Sequence, residues 1–414
     1  MHAEAPEQEA PPPAIVARPA HVPADRVVDF NLHRPVPAGQ SVHEFWREML
    51  AKSPHDLMWT PYNGGHWIAT EPGLCETILA DSDRFSSRIV IVPREPIGET
   101  YSSFIPLSLD PPAHAPFRKV LNNNLGPRQV NAVADAIRNL TNRLIDAFQA
   151  KGHCDFKEEF AEQLPVRIFM SLVDLPESDL PRLKYLADQF TRPDGTIAYP
   201  DVEKGFREYV GPIIRARRGG TGHDMITNIA NSEVNGRPLT DAEAENLTIQ
   251  ALVGGLDTVV NLLSFVFSYL AIHPELQRLI AEDPSRIDDM MTEFLRRFPV
   301  VSDSREVIDD IEIDGVTLKK RDMVMASTIP IAMSETGNPD ALAFKLDRKV
   351  RRHSVFGRGA HTCPGMYLAQ LELKIVLTEW FKRIPAFRLP AGASLSFTSG
   401  VVATVDPFAL EWDV

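Results

Sequence analysis

Of the three cysteines in this 414-residue chain, Cys75, Cys154 and Cys363, one stands where its type and neighbours could do chemistry. Cys363 lies in FGRGAHTCPG, residues 356–365, where Gly357, Gly359 and Gly365 permit a tight turn and close approach of a flat group. Met366, Ala369, Leu373, Val376, Trp380 and Ile384 then recur at helical spacing, which predicts a helix over 366–383 with Cys363 at its N-terminus. Free N–H groups and the macrodipole favour a thiolate there. Such a sulfur can be a nucleophile, a redox sensor or a metal ligand, and a buried cysteine in a glycine-rich turn is the plainer alternative. The cysteines are odd in number and far apart, so neither a disulfide framework nor a paired-cysteine metal site is expected. A reducing, cytoplasmic compartment fits that usage.

A second group sits in a long apolar segment. Thr240 and Glu243 form a capping box that opens a helix expected over 240–272, ending near His273-Pro274. Gln250, Val253, Gly254, Asp257 and Thr258 follow i, i+3, i+4, i+7, i+8 and so share a face. Gly254 and Gly255 each cost about 1 kcal/mol relative to alanine in a helix, which suggests that something must approach the backbone. An acid beside an alcohol can relay protons, and the alternative for Thr258 is a hydroxyl bonded back to its own helix. Glu293 and Arg296, three apart, can pair on another helix.

These groups need a scaffold. Further helices are expected over 127–150, 157–173, 178–190, 201–218, 275–282 and 285–298, with a short strand in 60–70 and β structure near 306–325 and 395–413. The pattern predicts one mainly-α domain with small β-sheets over 26–414, preceded by a loose tail at 1–25 rich in Ala, Pro and Glu. The most membrane-like stretch, 251–272, carries Asp257 and reads as a core helix, so no membrane association is expected. A net charge of −13 disfavours general affinity for nucleic acid or anionic membrane. Against that acidity, Lys345, Arg348, Lys349, Arg351, Arg352 and Arg358 are opposed only by Asp347 as the chain leads into the cysteine loop. Such a patch suits an acidic partner, and a solvated charge run is the alternative.

Phe356, Gly359, Cys363 and Gly365 together resemble the haem-binding loop of the cytochromes P450. Glu293-x-x-Arg296 and Asp257-Thr258 resemble that family's Glu-x-x-Arg pair and oxygen-activating acid–alcohol pair, in the same order along the chain. From about residue 20, NGGHWIAT, IPLSLDPP, RIFM, TRPDG, VNGRP, LVGGLDTVVN, LRRF and SGVV are similar to segments of the bacterial camphor hydroxylase family. The resemblance implies the P450 fold, a haem-thiolate triangular prism, holding haem b with the Cys363 thiolate as axial ligand. It implies propionate contacts from His114, Arg118, Arg305 and His361, with Asp303 orienting one of them. Dioxygen would lie against Gly254, with Thr258 bonding it and Asp257 relaying protons from solvent. Pro364, where the relatives have leucine, removes one N–H from the sulfur and so predicts a lower iron potential.

In the substrate pocket the resemblance points to Ile91, Tyr101, Leu107, Thr191, Gln250, Val253, Val301, Val401 and Val402. About two residues are inserted between Pro93 and Pro106, so either Tyr101 or Gln250 can be the polar anchor. Arg88 replaces an acid that helps hold potassium in the relatives, which predicts binding independent of that ion. The substrate expected is a small apolar cyclic terpenoid ketone, a norisoprenoid such as ionone before camphor. The expected electron donor is a [2Fe–2S] ferredoxin, reduced by an NADH-dependent flavoprotein and docked around Arg118, Arg351, Arg352 and Arg358. A monomer is expected. An H2O2-driven peroxygenase and a non-catalytic haem sensor are the rivals, and the Asp257-Thr258 pair argues against both.

Overall fold

Apolar periodicity produces most of the framework in this computed structural model, which describes residues 15–94, 104–192, 196–349 and 351–414. Fifteen α-helices occur among the described residues: α1 (Val42–Lys52), α2 (Pro72–Ala80), α3 (His114–Leu125), α4 (Pro127–Ala132), α5 (Ala134–Phe148), α6 (Leu164–Val173), α7 (Leu180–Thr191), α8 (Tyr199–Arg217), α9 (Met225–Ala230), α10 (Asp241–Gly255), α11 (Thr258–Leu270), α12 (Pro274–Glu282), α13 (Ile287–Arg297), α14 (Thr328–Met333) and α15 (Met366–Arg383). One sheet has five strands in the order Leu57–Thr60, His66–Ala69, Met323–Ser327, Ser302–Val307, Phe85–Ser86. Its neighbours are antiparallel except His66–Ala69 and Met323–Ser327, which run parallel. Four two-stranded ribbons complete the β structure. The architecture is mainly α with small sheets, the fold class read from the sequence.

Three expected helices are interrupted, each for a local reason. The segment 127–150 divides at Val133 (φ −99°, ψ 3°). Residues 157–173 begin as a π turn, Lys157–Ala161, before α6 opens with Pro165 in its first turn. The segment 240–272 becomes α10 and α11, separated by Leu256 and Asp257, with Asp257 at φ −131°, ψ −42°. Gly254 and Gly255 weaken the turn before that break. The capping box at Thr240 is formed, Glu243 N donating to Thr240 Oγ1 at 3.2 Å and Thr240 N to Glu243 Oε2 at 2.8 Å. The apolar stretch Asp241–Leu270 is 78% buried in its most hydrophobic window and is a core element.

Aromatic rings join that core helix to α15. Phe267 stacks on Phe156 at 4.3 Å and meets the edge of Trp380 at 4.9 Å; such pairs add about 0.5–1.5 kcal/mol each beyond area burial. At the N-terminus, residues 15–25 do not form the loose tail expected of 1–25. Val22 is fully buried with Trp59 and Trp67, and Val16 N donates to Pro61 O at 3.0 Å. Two valines with an apolar slot to fill outweigh a proline-rich composition.

Candidate active site

The cysteine loop is built from backbone constraints. Gly359 (φ +68°) passes so near α2 that a Cβ would lie 2.8 Å from Ala80 Cα. Cys363 N donates to Phe356 O at 2.7 Å, closing the turn that delivers the sulfur. Burial pushes the Cys363 thiol up, while the Gly365 N–H and Arg118 act in the opposite direction. Among the described residues, Arg118 secures the loop through the Ala360 and Thr362 carbonyls. Glu76 of α2 accepts from Arg352 at 2.7 Å, Arg358 at 2.5 Å and Ser354 at 3.1 Å.

Behind the loop, Glu293 and Arg296 are paired as expected, at 2.7 Å with both side chains fully buried. The sequence did not show that Arg348 joins them at 3.2 Å and Arg351 at 3.8 Å. The basic run is therefore not a free patch. Arg348 and Arg351 turn inward to Glu293, Arg352 and Arg358 share Glu76, and Lys345 pairs with Asp340.

Facing Cys363 is a cavity of about 260 Å³. Its wall contains Gln250, Gly254 and Thr258 from the divided helix, Leu107 and Val301 opposite, Phe356 and His361 from the loop, and Asp303. A Cβ on Gly254 would meet nothing within 4 Å, whereas one on Gly255 would strike the Phe169 ring at 2.5 Å. The two glycines thus serve different ends: one leaves the cavity open, the other admits α6. Thr258 Oγ1 donates back to Gly254 O at 3.2 Å, the alternative weighed for it.

Asp257 does not share the cavity face. Its carboxylate receives both Arg192 nitrogens at 2.7 Å and Asn261 Nδ2 at 2.9 Å. Burial alone would raise this carboxyl, but the Arg192 bonds and charge, with Lys184 and Asn261, hold it below the usual range. The helix break turns it sideways, so the single face read across 250–258 holds only for Gln250, Gly254 and Thr258. Several other expected pocket residues are buried. Val253 is packed inward, and Thr191 Oγ1 donates to Ala187 O. Ile91 is drawn in where Ser304 N bonds Val90 O. Val401 and Val402 are held by pairing with 301–302. Tyr101 lies outside the described residues. Arg88 pairs with Glu306 at 3.1 Å, joined by Arg94 at 3.4 Å, so a guanidinium stands where the resemblance implied a cation-binding acid elsewhere.

The residues fit a haem. Cys363 faces the cavity, and along one side lie donors that want an anion. Among the described residues Arg305 is fully buried with one bond, to Ser304 O, and the Nε2 atoms of His114 and His361 have no partner. The two rings lie 4.4 Å apart. Burial, then Arg305, His114 and Arg118, lower His361 to about 3. Two imidazoles and two guanidiniums gathered with little side-chain pairing suit a pair of carboxylates. Burial raises the nearby Asp303 carboxyl against the pull of Arg305. Glu372, missed in the sequence, also lines the cavity, with its Oε1 unpartnered and its carboxyl raised by burial to about 8. Its position four residues after Leu368 and four before Val376 was the available signal.

The cytochrome P450 family model matches residues 214–389. The chain is 30% identical over 420 residues to the probable cytochrome P450 127A1 of Sinorhizobium fredii, covering 95% of this chain and 96% of that protein. The chain belongs to the cytochrome P450 family. The crystal structure of CYP101J2 is 56% identical with a TM-score of 0.91, covering 97% of this chain and 100% of that one. The crystal structure of CYP101C1 is 34% identical with a TM-score of 0.87, covering 96% and 100%. This P450 is a monooxygenase that holds haem b through the Cys363 thiolate and uses O2 with electrons from a redox partner.

Proposed function

We propose that this P450 hydroxylates a C–H bond of a small cyclic terpenoid ketone, with norisoprenoids such as ionone ahead of camphor. The observation that carries the reading is the mostly apolar cavity between Cys363 and the Gln250–Gly254–Thr258 face. Similarity to CYP101J2 and CYP101C1 agrees with the resemblance to the camphor hydroxylase family. When bound, the haem supplies oxygen activation, strengthened by electron donation from the thiolate. Arg118 and Arg305 would neutralise the propionates, His114 and His361 would donate N–H bonds to them, and Asp303 would orient Arg305. Thr258 gives its proton to the Gly254 carbonyl, so its lone pairs face the cavity and accept from a water or a protonated oxygen there. Asp257 exchanges protons with solvent only when Arg192 releases it, which makes that ion pair a control point for proton supply. Glu293 and Arg296 are structural. Leu107, Val301 and Gln250, with Tyr101 outside the described residues, shape the pocket.

Electrons are proposed to come from a [2Fe–2S] ferredoxin reduced by an NADH-dependent flavoprotein. It docks on the face of the cysteine loop around Arg118, Arg351, Arg352 and Arg358. Because Glu76 and Glu293 neutralise much of that charge, association should vary only weakly with ionic strength. The protein is read as a soluble monomer acting in the cytoplasm.

Titrating the ferric holoprotein with β-ionone and camphor tests the substrate. A bound substrate displaces water from iron and shifts the spin state. A shift with ionone and none with camphor is expected. A full shift with camphor alone would replace ionone by camphor. Turnover with reduced ferredoxin, and none with H2O2 alone, separates a monooxygenase from a peroxygenase; no turnover with either leaves a sensor.

A further inference from the structure

Gln250 is unusual among the polar groups of the cavity. Thr258 Oγ1 is bonded to Gly254 O and Thr328 Oγ1 to Val301 O at 2.7 Å. His361 and Asp303 belong to the carboxylate-binding side, and Glu372 is an acid on α15. Gln250 lines the cavity, yet its carboxamide makes no hydrogen bond among the described residues. The same cavity is lined by Leu107, Ala251, Phe169 and Val301. A half-buried amide in an apolar wall is poorly satisfied until something enters with a complementary group.

We propose that Gln250 is the specificity-determining anchor, donating its amide N–H to a lone acceptor oxygen on a compact alicyclic substrate and so choosing which carbons face Thr258. The inference rests on the reading of the chain as a hydroxylase of small cyclic molecules. Gln250 stands one helical turn, about 6 Å of rise, before Gly254, and Thr258 follows beyond the break at Leu256 and Asp257. A ring held by its oxygen at Gln250 therefore directs its far carbons towards Gly254 and Thr258. The reaction is expected at carbons remote from the oxygen, not at the carbon beside it. Substrates with no acceptor leave the amide unpaired and are disfavoured by roughly 10- to 100-fold.

The experiment uses matched ligands that differ only in the oxygen: camphor with its parent hydrocarbon camphane, and β-ionone with its deoxygenated hydrocarbon. Spin-state titrations are run on ferric holoprotein of the wild type, Gln250→Leu and Tyr101→Phe, with the CO-bound reduced spectrum confirming thiolate ligation in each. The wild type should prefer the oxygenated member of at least one pair by about 10- to 100-fold. Gln250→Leu should bring that ratio close to 1, bind the hydrocarbon no worse, and scatter the position of hydroxylation. A ratio that survives Gln250→Leu overturns the proposal, and a ratio that collapses in Tyr101→Phe assigns the anchor to the tyrosine. No spin shift with any ligand, in protein with an intact thiolate spectrum, rejects the substrate class itself and the anchor with it.

Discussion

The two walls of the cavity are built on opposite principles. Behind the cysteine wall the charges that hold the loop have partners: Glu293 holds Arg296, Arg348 and Arg351, and Glu76 holds Arg352 and Arg358. On the divided-helix side the chain leaves things open: a break at Leu256 and Asp257, a glycine with empty space before it, and an unpaired amide at Gln250. One wall fixes the iron ligand, which every substrate needs in the same place. The other must accept a guest, and an already satisfied wall would have nothing to offer it.

The sharpest way to break the contrast is Glu293→Gln. It leaves Arg296, Arg348 and Arg351 with an uncompensated buried positive charge, and the loss should be about 3–5 kcal/mol with poor haem retention. Urea unfolding and haem absorbance check it, and a near-neutral result would mean that the arginines reach solvent. Next comes the pair of adjacent glycines. Gly255→Ala drives a methyl into Phe169 and should cost about 1–3 kcal/mol. Gly254→Ala should change stability by less than about 0.5 kcal/mol and instead disturb substrate binding, read by the spin-state titration. Equal destabilisation by both would erase the distinction.

Glu372 gives a pH test on the same cavity. Its folded carboxyl titrates near 8 and its unfolded one near the ordinary 4.5, so between those values the folded state binds the extra proton. Stability should therefore fall as pH rises, by at most about 2 kcal/mol from pH 6 to pH 8. Thermal unfolding of Glu372→Gln should show that slope flattened; an unchanged slope would mean that another group titrates. The smallest effect concerns potassium. With Arg88 and Arg94 on Glu306, replacing potassium by sodium at constant ionic strength should leave substrate affinity within twofold. A large potassium dependence would require a cation site elsewhere.

What could be read from the sequence follows the same division. The cysteine loop was legible because backbone geometry demands particular residue types at fixed offsets, as Gly359 against Ala80 illustrates. Glu293 and Arg296 were legible as an i, i+3 pair. Arg348 was not, because its approach depends on a chain reversal 55 residues later, and its charge was taken for part of a surface patch. Asp257 was placed on the wrong face because helical spacing presumes an unbroken helix. The backbone pairing between 300–302 and 401–403, which fixes Val401 and Val402 beside Val301, was invisible to side-chain patterning.

Glu76 reaches Arg358 across 282 residues of sequence, and Arg118 reaches Thr362 across 244. The loop that captures the iron is thus steadied by groups that lie far earlier in the chain than Cys363. A C-terminal fragment could carry the whole sequence signature and still lack what holds the loop in shape. Cofactor capture is in this way a proofreading step: only a chain whose distant segments have come together presents a finished socket.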